Sequence, residues 1–497
     1  MKIAVIPIDN RPICYDLIQD VLSIDKNIQL FMPELKDLGG LTTKSNIDRL
    51  FAFIENLDKV DYLIISLDTI AYGGLVTSRR CNDKFSEIKE RIEKLKELAS
   101  SRAKKILAFS SIMRISNNNI NEEEKEYWAQ WGKRIFDWSY YLHKTEVEKT
   151  YNCVHNIIPS EILNDYLETR KRNFEINKIY LKWAKEGFFD TLILSKDDCA
   201  EFGLNVKEAL ELEEIIKKEN IKNAKIKTGA DEIPLSLISR ALSYNHEIKI
   251  KPIFLCEKSI NKISKYEDIS IKNCALAQIE LAGLKLDIEN PDLNMIINNF
   301  EFEQGDLVLG DKINETTKKI AFPNSSYFIA DVNNANGADS GLINQLLKQN
   351  LSDFYGYCGY NTSANTIGCA IFCAIVKHLA IKNNSYNNDA FKKFQLIRLA
   401  DDWAYQAISR KFVRESNPNF KQALFEKESE LNNNALKLCE FLDFYPNKMT
   451  YSLPWNRSFE IRIKIDWLFV FTFIHFKKIF YRIFNRISCQ ECLVINE

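Results

Sequence analysis

Two adjacent carboxylates, Asp197 and Asp198, end the apolar run at the head of the stretch 191–203, and no other residues in the chain have a type and spacing more suggestive of chemistry. An apolar run bounded by turn-prone polar residues reads as a buried strand, and parallel α/β folds keep their reactive groups in the loops after such strands. As extended residues the two side chains would point to opposite faces, but in a loop they can converge. Like charges held close raise one pKa, which leaves an acid near neutral pH beside an anion, the pairing that glycosidic bond cleavage uses. The same pair could hold a divalent cation. For an isolated Asp-Asp the plainer role is helix capping.

Other clusters carry compatible groups. Asp231 and Glu232 follow Gly229-Ala230. Asp331, Asn333, Asn334, Asn336 and Asp339 crowd one stretch, Asn361 and Asn365 the next. Carboxamides suit a polyhydroxylated ligand, whose hydroxyls both donate and accept, although asparagines are also ordinary turn residues. Asp9, Arg11, Asp68 and Arg114 complete the set, the arginines as bidentate partners for carboxylates of a substrate or of the protein. Asp197 and Asp198 are thus the expected catalytic pair, and Asp9, Arg11, Asp68, Arg114, Asp231, Glu232, Asp331, Asn333, Asn336, Asp339, Asn361 and Asn365 the expected substrate-binding residues. The five histidines, at 143, 155, 246, 378 and 475, all fall outside the clusters, so a Ser-His-Asp triad or a histidine-rich metal centre has no support. No cofactor is expected; in the alternative, Asp197, Asp198, Asp231 and Glu232 would ligate Mg or Mn.

These residues need elements to hold them. Eight apolar runs, 3–8, 62–67, 105–110, the run before Asp197, 225–228, 248–255, 327–330 and 354–359, each close on polar or glycine residues and mostly alternate with helical stretches. Pro252 makes the sixth the weakest strand. Eight such units predict an α/β fold, a (β/α)₈ TIM-like barrel whose polar clusters share one rim, with an open doubly wound sheet as the alternative. The stretch 115–187 reads as a helical insertion whose aromatics, Trp128, Trp131, Trp138 and Tyr141, serve packing first and sugar stacking second. The catalytic domain spans 1–380, a helical and β appendage 381–465, and an aromatic and basic tail 466–497. The apolar run in the tail, 467–474, falls short of the about twenty residues a membrane span needs.

Bulk composition sets limits on partners. With net charge -1 over 497 residues, the basic excess that neutralises phosphates is missing, so nucleic acid is not an expected partner. The first residues read as a strand rather than a signal peptide, and the twelve cysteines lack framework spacing, which together point to a reduced, cytoplasmic protein; the polar clusters point to a small, carbohydrate-like molecule as its partner. Cys489 and Cys492 form one CxxC without a second pair, a weak zinc signal.

With those residues in view, the chain resembles the bacterial family catalogued as domain of unknown function 4127. The segments that carry the resemblance are 6–12, Ser66-Leu67-Asp68 through Gly73-Gly74-Leu75, Ser78-Arg79, Asp197-Asp198 through Asn205, 229–232, 330–339, Tyr360-Asn361-Thr362 with Asn365-Thr366, and Pro454-Trp455-Asn456-Arg457. That membership implies no particular activity. The architecture also resembles barrel β-N-acetylhexosaminidases of the O-GlcNAcase type, which implies that Asp197 polarises a substrate acetamide and Asp198 is the acid/base. The leading expectation is a carbohydrate-active enzyme, a glycoside hydrolase acting on a small sugar or amino-sugar conjugate. The rivals are a divalent-metal-dependent hydrolase or lyase and a sugar-binding protein without catalysis.

Overall fold

A computed structural model describes residues 1–148, 158–197, 199–308, 310 and 312–466; Asp198, the Cys489/Cys492 pair and the apolar run of the tail lie outside the described residues. All eight expected strands form, but in two sheets. β1 (Lys2–Ile6), β2 (Gln29–Phe31), β3 (Val60–Ser66), β4 (Ala103–Ile112), β5 (Thr191–Lys196) and β6 (Ala224–Thr228) make a parallel sheet in the order β2-β1-β3-β4-β5-β6. The chain continues through β7 (Lys249–Phe254), β8 (Lys285–Leu286), β9 (Leu293–Asn299), β10 (Gly305–Asp306), β11 (Tyr327–Val332), β12 (Asn334–Ala335) and β13 (Phe354–Cys358). Five of these form a second parallel sheet in the order β13-β11-β9-β7-β8, while β10 and β12 pair only with each other. An antiparallel ribbon of β14 (Lys448–Ser452) and β15 (Arg462–Asp466) follows.

The expected barrel does not close among the described residues, because no ladder joins β6 to β7 or β13 to β1. A barrel needs each strand to pair with the next. Here β2 lies outside β1, so β1 pairs with β3, and β8 lies outside β7, so β7 pairs with β9. Both sheets therefore have doubly wound order, with a switch point between their first and third strands. The strands β2 and β8 that set this order are only three and two residues long, too short to announce themselves as strands. Pro252 is tolerated in β7 because β8 pairs only with Lys249 and Ile250 and has ended before it.

The first sheet is covered on both faces, as a parallel sheet requires. Side chains alternate, so Ile3, Val5, Ile64 and Phe109 enter the larger core, while Ala4, Ile6, Ile65 and Ala108 enter a second core. That second core is closed by the helices Phe85–Arg102 and Ser160–Lys185. The larger core is shared. The helix Ile233–Ser243, which follows β6, packs on β3 and β4 and also on the helix Ser363–Lys382, which in turn packs on β11 and β13. Two sheets thus enclose a double layer of helices. Ser363–Lys382 is the one helix among the described residues long and apolar enough to cross a membrane, and 89% of its most apolar window is buried within the protein. Trp128 of the 115–187 stretch is buried against Tyr166, so it packs rather than stacks on a ligand.

Phe372 is 0% exposed in the shared core. Phe372→Ala is expected to cost about 3–5 kcal/mol, read as a lower urea midpoint at unchanged slope. A loss under about 1 kcal/mol would show that this core is not close-packed.

Candidate active site

The C-terminal ends of both sheets face one cavity of about 240 Å³. The first sheet contributes Arg11 after β1, Leu75 and Val76 after β3, Arg114 after β4, Asp197 after β5 and Asp231 after β6; the second contributes Tyr266, Glu267, Asn336, Asn361 and Asn365. Trp455, Arg457 and Phe459, from the connection between β14 and β15, close the remaining side.

Arg11 is the centre of one wall. Its backbone N–H and Nε donate to the two oxygens of Asp9, each at 2.9 Å, and Nη1 and Nη2 donate to Asp231 at 3.0 and 2.6 Å. One guanidinium thus serves two carboxylates, all three side chains being buried. Burial, together with the charges of Asp9 and Asp197, pushes the Asp231 carboxyl up against the pull of Arg11. Behind it Glu460 accepts the Ile13 N–H at 2.8 Å through Oε1, while its buried Oε2 has no hydrogen-bond partner. Burial raises Glu460 to about 8.

Asp197 sits where β5 ends, its Oδ2 3.5 Å from Arg114 Nη1 and 3.7 Å from Arg79 Nη1. Glu123 accepts from Arg457 Nη1 at 2.7 Å, from Arg114 Nη2 at 2.8 Å and from Arg79 Nη2 at 3.4 Å. Although burial works the other way, Arg114, Arg79 and Arg457 hold the Glu123 carboxyl well below the usual range. The guanidiniums also stack. Arg11 and Arg457 lie 5.2 and 5.1 Å from the Trp455 ring centroid, and Arg457 and Arg410 lie 5.6 and 4.9 Å from that of Phe459. Trp455 and Asn456 both hold positive φ, at 56° and 52°, an uncommon conformation for side-chain-bearing residues that clusters at ligand sites.

On the opposite wall Asn336 and Asn361 also have positive φ, 65° and 72°, and the Asn336 N–H donates to the Asn361 carbonyl at 2.9 Å. These asparagines are turn residues and wall residues at once, since asparagine tolerates the left-handed region. A π-helical stretch, Ala400–Ser409, fixes both turns: Asp402 accepts the Gly359 N–H at 2.7 Å, and its carbonyl accepts the Ala338 N–H at 2.8 Å. Glu267 accepts the Ala364 N–H at 2.8 Å in the first turn of Ser363–Lys382. Asn365, in the same turn, is 6% exposed and its Oδ1 has no hydrogen-bond partner. A buried acceptor left so costs about 1–3 kcal/mol, which a donor on a ligand would offset.

Of the expected site residues, Asp197, Arg11, Arg114, Asp231, Asn336, Asn361 and Asn365 reach the cavity, and Asp9 supports it through Arg11. Asp198 is outside the described residues. The others turn away. Asp68 accepts the Ser111 N–H at 2.8 Å between β3 and β4, where burial raises it to about 6. Glu232 folds back over Gly229 to accept from Gln278 and the Ala230 N–H, and burial lifts it to about 8. Gly229 has φ 117°, and a Cβ there would lie 1.7 Å from Glu232 Oε1, so glycine is what lets this turn close. Asp331, raised to about 7 by burial and by Asp339, binds Asn298, Tyr357 and the Asp339 N–H. Asp339 caps the helix Ser340–Leu346 and receives Asn333 Nδ2 at 2.7 Å. This cluster is a cap and turn rather than a rim. Among the described residues no group of three or more His, Cys, Asp or Glu side chains is placed to hold a metal ion, and of the alternative ligand set Asp231 is bidentate on Arg11 while Glu232 faces the helices.

The cavity is also lined by Glu123, Lys196, Tyr266, Glu267, Trp455 and Arg457, with Arg79 behind Glu123 and Glu460 behind Arg11, residues to which the sequence reading gave no site role. Lys196 is itself ion-paired to Asp268. The available signals were the Ser78-Arg79 and Pro454-Trp455-Asn456-Arg457 segments that carry the family resemblance; Glu123 lies in a run of glutamates that reads as solvated surface.

A carboxyl raised in the folded state binds its proton there more tightly than in the unfolded chain. Its stabilising contribution is full below the unfolded value, near 4.5 for Glu460, and is lost as pH climbs through about 8. Glu460→Gln, neutral at every pH, is expected to melt higher than wild type above pH 8 and to match it near pH 5 in thermal scans. An equal difference at both pH values would mean that Glu460 does not titrate in this window.

No curated protein and no solved structure matches the chain significantly. The resemblance to barrel hexosaminidases is not supported, since the strands that suggested it belong to two open sheets. One family model, described as "Protein of unknown function (DUF4127)", matches residues 3–464. With nearly the whole described chain inside that match, the protein belongs to the DUF4127 family.

Proposed function

We propose that the cavity binds one small, sugar-like molecule and hydrolyses a glycosidic bond in it. The observation that carries this reading is the composition of a single wall-to-wall site: carboxylates at Asp197, Asp231 and Glu267, carboxamides at Asn336, Asn361 and Asn365, and the aromatic rings of Trp455 and Phe459. Polyhydroxylated ligands need acceptors and donors in alternation, and the unpartnered Asn365 Oδ1 is an acceptor waiting for a hydroxyl or amide N–H. At about 240 Å³ the cavity is smaller than the about 300–1,000 Å³ of drug-sized sites, which favours a single sugar unit.

Two carboxylates take different roles. Asp231 shares one arginine with Asp9, so the trio carries one more negative than positive charge and retains a proton readily. Asp231 is the group that protonates the leaving oxygen, holding that proton on Oδ2, whose bond from Arg11 Nη1 is the longer of the two at 3.0 Å. It takes a proton back from the water that then adds to the anomeric carbon. Asp197, held near Arg79 and Arg114, is the fixed anion facing the positive charge that develops on the sugar ring.

Asp231→Asn is expected to lower turnover of aryl glycosides by about 10²–10⁴-fold, with a smaller deficit for better leaving groups, because those need less protonation. Asp197→Asn should lower it by about a hundredfold whatever the leaving group. Both variants are checked for wild-type melting. Wild-type protein that turns over nothing in a panel of aryl α- and β-glycosides, or variants as active as wild type, would remove this reading.

A further inference from the structure

We propose a second binding site, for a small molecule with one carboxylate or phosphate group on an apolar body, in the cavity between the N-terminal ends of β3, β4 and β5 and the last turn of the helix Ile233–Ser243. This cavity lies at the opposite end of the strands from the candidate active site and shares no lining residue with it.

Strand register builds its floor. Tyr62 is paired with Lys105 and Leu107 with Thr191, so all four side chains stand on one face of the sheet, the face whose Ile64 and Phe109 enter the larger core. The helix Ile233–Ser243 packs on that face, and its end, Arg240 to Tyr244, roofs the strand starts together with Gly283, which follows the helix Ile271–Leu281. The space enclosed is about 330 Å³, within the range of small-molecule sites.

The polar groups around this space are mostly donors that lack acceptors. Tyr62 is 8% exposed, yet its hydroxyl makes no hydrogen bond among the described residues. Burial, and after it the neighbouring Tyr244 and Asp190, raises its pKa, so it stays protonated and able to donate. Lys105 has neither a hydrogen bond nor an ion pair among the described residues; its ammonium lies 3.0 Å from the Tyr244 ring centroid. Arg240 donates only through Nη1, to the Glu280 and Leu281 carbonyls at 3.2 and 3.3 Å, which leaves Nε and Nη2 for a ligand. Asp190 is the one carboxylate in the lining, and its Oδ2 already accepts the Ile106 N–H at 2.9 Å.

Two cations against one carboxylate leave a positive balance, and a bound oxyanion gives Tyr62, Lys105 and Arg240 an acceptor in common. The helix-end carbonyls that would repel an anion are themselves occupied, two by Arg240 and that of Ala282 by Ser243 Oγ at 2.7 Å. The rings of Tyr62 and Tyr244, with Leu107 and Ala241, supply the apolar surface that the body of the ligand would cover.

Calorimetric titration of the full-length protein with benzoate and with phenyl phosphate, each against benzyl alcohol, tests this. At least one acid should bind about tenfold or more tightly than the alcohol, and the tighter acid identifies the oxyanion preferred. Lys105→Met should weaken that acid about tenfold. Tyr62→Phe, which keeps the ring and removes only the hydroxyl, should weaken it about threefold. Both variants are compared in protein that melts as wild type does, and Arg114→Gln, in the other cavity, should leave the affinity unchanged. If neither acid binds, or if the alcohol binds as tightly as both, the proposal is overturned. Acid binding that Lys105→Met and Tyr62→Phe spare, or that Arg114→Gln abolishes, belongs to another place on the protein and overturns it too.

Discussion

A guanidinium buried between two carboxylates cannot leave its place without stranding both, and Arg11 is in that position. It binds Asp9 beside the end of β1 and Asp231 after β6, so it fixes the loops of the first and last strands of the first sheet against each other. Breaking one partner of such a buried group is far more damaging than the net worth of the pair, which is why it sets geometry more than it adds stability. The other cavity walls are placed relative to it: Trp455 stacks on its face, Arg457 stacks on Trp455, and Arg457 reaches Glu123 beside Asp197.

The two sheets solve the same problem twice. Each is doubly wound, and each delivers the loops after its strands to one side of the shared helical layer. Ligands of doubly wound sheets bind outside the carboxyl ends of strands at a switch point. Here the first sheet's switch point, with Arg11 and Leu75 on either side, opens directly onto the loops of the second sheet. The long helix Ser363–Lys382 has almost no exposed face because both sheets lean on the layer it belongs to, which explains an apolar composition that would otherwise suit a lipid environment.

Much of this was legible in the sequence, and what was not has identifiable causes. The eight apolar runs announced eight strands because strands buried on both faces must be apolar throughout. Their partners were not legible: β2 and β8 are three and two residues long, too short to stand out as strands, yet they decide that β1 pairs with β3 and β7 with β9. Residue type alone could not separate Asp231 from Asp331. Both follow parallel strands, but Asp231 meets Arg11 at the cavity whereas Asp331 is capped from within by Asn298 and Tyr357. Asn336 and Asn361 were legible as either turn or wall, and they are both. Arg79 and Arg457, far apart in sequence, matter only because the chain between them folds back to bring them to one glutamate, a coincidence no local pattern encodes.

The alternating stack of Arg11, Trp455, Arg457, Phe459 and Arg410 has a temporal meaning as well as a spatial one. Its members, and the bond from the Ile13 N–H to Glu460, join stretches separated by as many as 447 positions. A chain made from its N-terminus forms local contacts first and closes its longest loops last. The first sheet can therefore gather during synthesis with Asp9 and Asp231 already paired to Arg11, and the cavity gains its last wall when the connection between β14 and β15 has emerged. A chain not yet extended past that connection holds the acids without the enclosure, so the closed cavity exists only once residues 453–461 have joined it.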